Sequence, residues 1–262
     1  MILEVNGLSV CYGKKEIVHG ASFGIEKGEL VGIIGANGSG KTTLLKAVCN
    51  VLPHKGSCIL NGMRTEELSP KKMASLCSYI PQRSGIEIDI GVLDVVLMGF
   101  NPKLGILEYP NADMKKKAAD ALHMVGLEEK TYDNYLTLSE GQKQLCILAR
   151  TLVTTGNLLL LDEPESALDF RYRYRMLEII RNWIGEEDRA ALVTLHDPGL
   201  ALRYCDRLLL MDNGDIFDSI SPGCDTTDRM EQALSHIYGA VSLTRIKDRH
   251  GMEHIVMLKE ED

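Results

Sequence analysis

The sequence predicts an α/β protein with a parallel-sheet core, an N-terminal antiparallel β-subdomain and an inserted α-helical subdomain. Three observations point there. Residues 30–34, 158–161 and 190–195 are short, continuously apolar runs, the pattern of parallel strands covered on both faces. The first run leads through a glycine-rich loop into residues 42–51, where Leu44, Leu45 and Val48 fall at helical spacing. Between the first and second runs, Met114, Ala118, Ala121, Leu122 and Val125 form one apolar helical stripe.

In chain order, residues 2–25 alternate loosely around the turn residues Tyr12, Gly13 and Lys14, which predicts short antiparallel strands with one buried face. Strand, loop and helix follow over 30–51. The helical insertion is expected over 83–150, and its clearest helix spans 111–125, with Asn111 as N-cap and Gly126 as the stop. The core resumes at 158–161 and 190–195. After the last core strand, residues 207–211 and 216–217 flank Asp212, Asn213, Gly214 and Asp215, a hairpin signal. This reading divides the chain into a main domain, 1–222, and a small C-terminal appendage, 223–262.

With 45% hydrophobic and 25% charged residues, the 262-residue chain holds enough apolar surface for a sizeable core. Its formal net charge of −8 leaves no electrostatic footprint for a phosphate backbone, so nucleic acid is not an expected partner. The cysteines, at 11, 49, 58, 77, 146, 205 and 224, include no CxxC pair, against a zinc site or a disulfide framework. No apolar run approaches the roughly 18 residues of a membrane span, and the first residues show no leader pattern. Any membrane role therefore requires a separate spanning partner.

The chemistry is concentrated in three segments. Gly35, Ala36, Asn37, Gly38, Ser39, Gly40, Lys41 and Thr42 satisfy the phosphate-loop pattern, between an apolar strand and a helix as that motif requires, and Thr43 continues it. Such a loop turns successive N–H groups toward phosphates, adds the positive end of the helix, and lets Lys41 reach the terminal phosphates. This makes the core that of a P-loop NTPase. The Thr42 hydroxyl is the expected Mg²⁺ ligand. Asp162 and Glu163 end an apolar strand, where α/β sheets place their ligands. Asp162 fits the Mg²⁺ shell through water, and Glu163 is positioned to orient or deprotonate an attacking water. Ser139 and Gln142 form a capping box ahead of a helix striped by Leu145, Leu148, Ala149 and Leu152.

Leu138-Ser139-Glu140-Gly141-Gln142 resembles the signature sequence of ATP-binding-cassette (ABC) proteins, and it lies between the phosphate loop and the Asp162 strand as in that family. Other elements follow in order. Tyr12 resembles the aromatic that stacks on adenine, and Gln82 the glutamine that contacts Mg²⁺. Residues 166–169 resemble the loop that crosses to the other subunit, and His196 the histidine that touches the γ-phosphate. The resemblance covers nearly all of 1–220. It implies ATP and Mg²⁺ as cofactors and a homodimer, or a pair with a similar cassette, in which Ser139, Gly141 and Gln142 of one copy cover ATP on the other. It further implies integral-membrane permease subunits, an extracytoplasmic substrate-binding protein reached through them, and a peripheral place on the cytoplasmic face of the membrane.

The sequence departs from the family at two positions. Glu140 replaces a glycine, and its carboxylate is expected to slow turnover unless it points away from a partner's phosphate. Glu165 adds an acid where the family often has a neutral residue, and like-charge repulsion is expected to raise the catalytic pKa. Residues 92–99 and 236–241 resemble cassettes of iron–siderophore, haem and cobalamin importers. The alternatives are a zinc or manganese importer, or an ABC ATPase outside transport. Against the last, no second phosphate loop or sustained heptad run is present.

Overall fold

The apolar runs become buried strands in the computed structural model of this chain, which describes residues 1–82, 85–105, 107–185 and 188–260. The first strands are longer than the alternation suggested. β1 (Leu3–Tyr12) and β2 (Lys15–Ile25) form an antiparallel hairpin across Gly13 and Lys14, with register shifts that bend the pair. β3 (Leu30–Gly35) then leads into the phosphate loop and helix α1 (Lys41–Val48). The chain returns to the first sheet through β4 (Lys55–Leu60) and β5 (Met63–Arg64), giving the order β2-β1-β4-β5. Helix α2 (Pro70–Leu76), capped by the Ser69 hydroxyl, precedes strand β6 (Cys77–Ile80).

After β6 the described residues are mainly helical: α3 (Val92–Leu97), α4 (Ala112–Val125) and α5 (Glu140–Leu152). Positions 83 and 84, where the insertion was expected to begin, lie outside the described residues. The local signals for α4 operate as read. The Asn111 side chain accepts from Met114 N–H at 2.9 Å, and Gly126 ends the helix in the left-handed conformation at φ 77°.

The second sheet is completed by β7 (Leu158–Asp162), helix α6 (Phe170–Gly185), β8 (Ala190–Thr194), helix α7 (Pro198–Tyr204), β9 (Arg207–Asp212) and β10 (Asp215–Ile220). Its order is β10-β9-β3-β8-β7-β6, with only the β9–β10 pair antiparallel. This corrects one expectation: β9 is not an arm that follows the core but a core strand, parallel to β3. A strand's place in a sheet is set by the crossover that delivers it, here through α7, and its own apolar pattern does not show this. The hairpin itself is as expected, since Asn213 (φ 46°) and Gly214 (φ 90°) adopt the positive angles of a tight two-residue turn.

Each inner strand serves two cores, because successive side chains point to opposite faces. Leu30 and Ile34 of β3, Leu159 and Leu161 of β7, and Val193 of β8 pack against the helices of the insertion and the C-terminal half. Val31, Ile33, Leu158, Leu160 and Leu192 face the first sheet and α1 instead. The chain ends in helix α8 (Thr227–Tyr238) and an antiparallel pair, β11 (Val241–Lys247) and β12 (Glu253–Lys259). Met230, Ala233, Leu234, Val241 and Leu243 bury their side chains in the helical-face core. Among the described residues no helix is long and apolar enough to cross a membrane.

Candidate functional site

Parallel strands β3, β7 and β8 end side by side, and the loops leaving them form one polar centre. Gly38 (φ 80°) and Gly40 (φ 105°) give the phosphate loop its left-handed turns, and a Cβ on Gly35 would run into the main chain of Met211. Gly35, Ser39, Gly40 and Lys41 are buried, Thr42 and Thr43 half-buried, and Asn37 and Gly38 exposed. Beside them lies a cleft of about 160 Å³ lined by Asn37, Gly38, Gly40, Lys41, Thr42 and Glu163.

In this cleft Lys41 folds back on its own loop, and its Nζ donates to the carbonyls of Gly35 at 2.9 Å and Ala36 at 3.1 Å. Burial weakens the hold of its ammonium on the proton, and the carboxylates of Glu163, Asp162 and Glu165 oppose that effect. The Ser39 hydroxyl is buried without a hydrogen-bond partner. An orphaned donor inside a ring of turned glycines fits a ligand oxygen, so the loop suits a nucleotide's phosphates.

Asp162 is 2% exposed, and hydroxyls surround its carboxylate. Thr42 Oγ1 donates to it at 2.8 Å, and Tyr79 Oη and Thr194 Oγ1 each donate at 3.2 Å. A hydroxyl and a carboxylate already in contact are hard oxygen donors of the kind Mg²⁺ takes alongside phosphates. Among the described residues no group of three or more His, Cys, Asp or Glu side chains is placed to hold a metal by itself.

Glu163 sits at φ 48°, a left-handed angle rare for a side-chain-bearing residue. Two bonds hold it there: its N–H donates to Thr194 Oγ1 at 2.8 Å, and its carbonyl accepts from Ser166 N–H at 3.1 Å. This conformation places its carboxylate 2.7 Å from His196 Nε2 and 2.7 Å from Gln82 Nε2. Thr42, Asp162, Glu163, His196 and Gln82 are thus joined, through Thr194, in one network, and Lys41 lines the cleft beside it. The α5 residue Gln144 also donates from Nε2 to the Gln82 carbonyl, tying the insertion to the same centre.

Three residues of this network were not read from the sequence as site residues. Thr194 and Gln144 act through bonds to positions about 30 to 60 residues away. The only local hint for Tyr79 was an aromatic three residues before Gln82.

Other expected residues stand apart. Tyr12 is exposed at the end of β1, on the hairpin whose second strand brings Ile17 to the edge of the cleft. Ser139 caps α5 as expected: its hydroxyl accepts from Gln142 N–H at 3.3 Å, and Gln142 Oε1 accepts from Ser139 N–H at 3.0 Å. Among the described residues no hydrogen bond joins Ser139, Gly141 or Gln142 to the phosphate loop. Gly141 lies against the 166–169 loop, where a Cβ would stand 3.2 Å from the Ala167 carbonyl.

The structure puts the two departures in contrasting settings. The Glu140 carboxylate is 72% exposed and bonds to Lys143 Nζ one turn along the helix at 2.7 Å, so a cation accompanies its charge. Glu165 is 2% exposed, and burial pushes its own carboxyl above the ordinary carboxylate range.

Residues 18–166 match the family described as ABC transporter. The chain is 35% identical over 236 residues to the "Probable iron chelatin transport ATP-binding protein" of Helicobacter pylori, covering 89% of this chain and 92% of that one. It is 34% identical over 264 residues to the hemin import ATP-binding protein HmuV of Pseudomonas putida, covering 97% and 99%. A solved structure of the ATP binding subunit of an ABC transporter superposes with a TM-score of 0.79 at 23% identity, over 91% of this chain and 98% of that one. Family match and relatives agree across more than half of the sequence, and the fold is the one shared by such subunits: the chain belongs to the ABC transporter family, among its ATP-binding cassettes.

Proposed function

We propose that this chain hydrolyses ATP at a site shared between two cassettes and couples that reaction to an importer of iron–siderophore, haem or cobalamin type. The observation that carries the reading is the Glu163 carboxylate, fixed 2.7 Å from both His196 and Gln82 beside the phosphate loop.

In this reading the loop N–H groups and the positive end of α1 receive the phosphates of ATP. Lys41 leaves the carbonyls of Gly35 and Ala36 for the β- and γ-phosphates, and the orphaned Ser39 hydroxyl gains a partner. Tyr12 stacks on the adenine. Thr42, Asp162 and Gln82 would hold Mg²⁺, which when bound neutralises phosphate charge. Glu163 accepts a proton from the attacking water as the water oxygen bonds to the γ-phosphorus. The bond from that phosphorus to the bridging oxygen breaks, and ADP leaves with that electron pair. His196 places its ring against both Glu163 and the transferred phosphate.

Ser139, Gly141 and Gln142 belong to the partner's site. They lie at the start of α5, whose positive end suits a γ-phosphate presented by a second copy. ATP then holds the dimer closed, and hydrolysis releases it, a population shift driven by differential binding. The 83–150 insertion transmits that change to spanning subunits on the cytoplasmic face of the membrane. The cargo assignment rests on relatives named for iron chelatin transport, hemin import and cobalamin import.

Two assays test the proposal. The purified chain should turn over ATP, and Glu163→Gln should not. Reconstituted with its spanning subunits in vesicles, the wild type should drive uptake of a ferric siderophore, haem or cobalamin and not of free zinc or manganese. Uptake of the free ions alone would transfer the cassette to the other importer class.

A further inference from the structure

The turn that carries Glu163 holds a second acid, for which the proposed reaction has no role. Glu165 is 2% exposed, yet one of its carboxylate oxygens accepts from the main-chain N–H of His196 at 2.8 Å, and the other is buried without a partner. Keeping a carboxyl here is costly, because burial with an unmet oxygen forfeits hydration. Burial raises its pKa; the His196 N–H, its own main-chain N–H and the charge of His196 lower it, and Glu163 adds a smaller upward push.

What the carboxyl holds is specific. β8 ends at Thr194, and Leu195 N–H still bonds to the Ile33 carbonyl at 3.1 Å. His196 is the next residue, and its N–H is met by Glu165. Its ring, at the other end of the same residue, meets Glu163 at 2.7 Å. Two acids of one turn therefore hold His196 at both ends, Glu165 by the main chain and Glu163 by the ring. Thr194 adds a third tie between the strands, since its hydroxyl takes the Glu163 N–H.

We propose that Glu165 is a positioning residue: its buried carboxyl fixes the main chain of His196 and so sets where the histidine ring stands against Glu163 and the transferred phosphate. This rests on the reading of Glu163 and His196 as the reacting pair. The task requires an acceptor oxygen and no charge, so a neutral amide of the same length performs it. A side chain that cannot accept leaves the His196 N–H unmet, and the loop relaxes away from its reactive position.

The test is steady-state ATP turnover of the full chain for wild type, Glu165→Ala, Glu165→Gln, His196→Ala and the double variant Glu165→Ala/His196→Ala. Folded fraction is checked for each by circular dichroism. Glu165→Ala should lower kcat by about tenfold, since small misplacements of reacting groups cost that much and more, while KM for ATP stays within about twofold. Glu165→Gln should recover most of the lost kcat. The double variant should be no slower than His196→Ala, because without the ring nothing is left to position.

Wild-type kcat per folded molecule in Glu165→Ala would overturn the proposal, as would additive losses in the double variant. If Glu165→Ala does not fold, Glu165→Gln still decides: a loss of kcat there shows that charge is needed and not an acceptor, and the proposal fails. A wild-type chain that does not turn over ATP, or an active His196→Ala, overturns the underlying reading instead. Normal wild-type turnover, a slow His196→Ala and an unaffected Glu165→Ala overturn this inference alone.

Discussion

At the ends of β3, β7 and β8 the reactive side chains already have neighbours. Lys41 rests on loop carbonyls, Asp162 receives three hydroxyls, and Glu163 is held by His196 and Gln82. At the start of α5 the side chains of Ser139 and Gln142 each bond to the other's main-chain N–H, and Ser139 faces solvent. The first region is preorganised by a double core on either face of the sheet. The second is a helix end closed by its own capping box. The contrast fits the proposed function, in which one copy supplies the chemistry and the other the cover, and on that reading perturbing the two regions should have different consequences.

The largest effect belongs to the preorganised side. Glu163→Gln keeps the shape of the side chain and removes the proposed base, and turnover should fall by about 10²–10⁴-fold, the usual contribution of such a group, when phosphate release is followed under saturating ATP. Next comes the Thr194 hydroxyl, which joins the end of β8 to Asp162 and Glu163 at the end of β7. Thr194→Val takes its partner from the part-buried Glu163 N–H, so denaturant unfolding should show a loss of about 1–3 kcal/mol together with reduced turnover. Unchanged stability would mean that the left-handed turn at Glu163 does not depend on this bond.

A smaller effect separates the regions by pH. Burial raises the Glu165 carboxyl above its ordinary value of 4.5, so the folded chain holds that proton to higher pH than the unfolded chain. Its contribution to stability is therefore fullest below the ordinary value and is lost as pH rises through the folded one. As pH rises above that ordinary value, melting temperature should decline less steeply in Glu165→Gln than in wild type. Identical slopes would remove the buried-acid account. On the α5 side the effect should be least. The exposed Glu140–Lys143 pair contributes about 0.5 kcal/mol or less, so Glu140→Gly should change turnover by no more than about threefold.

The sequence revealed whatever is encoded locally. The phosphate loop, the capped ends of α4 and α5, and the Asn213–Gly214 turn depend on residues within a few positions of one another, and the structure shows them as read. β4, β5 and β6 escaped notice, because short strands are defined by their partners: β6 exists through its parallel pairing with β7, some eighty residues further on. The same distance hid Thr194 and Gln144. Glu165 was visible as an unusual acid, but its neighbour was not. The sequence suggested a charge beside Glu163; the structure places a buried acceptor under His196.

The claim that two copies complete one site can be tested by light scattering on Glu163→Gln with and without Mg·ATP, beside the same variant carrying Ser139→Arg. The account predicts that ATP doubles the mass of Glu163→Gln, and that the Ser139→Arg version stays at the mass of one chain while still binding ATP through its intact phosphate loop. A dimer that persists when Ser139 is replaced by arginine, or no ATP-dependent dimer in either protein, would contradict it.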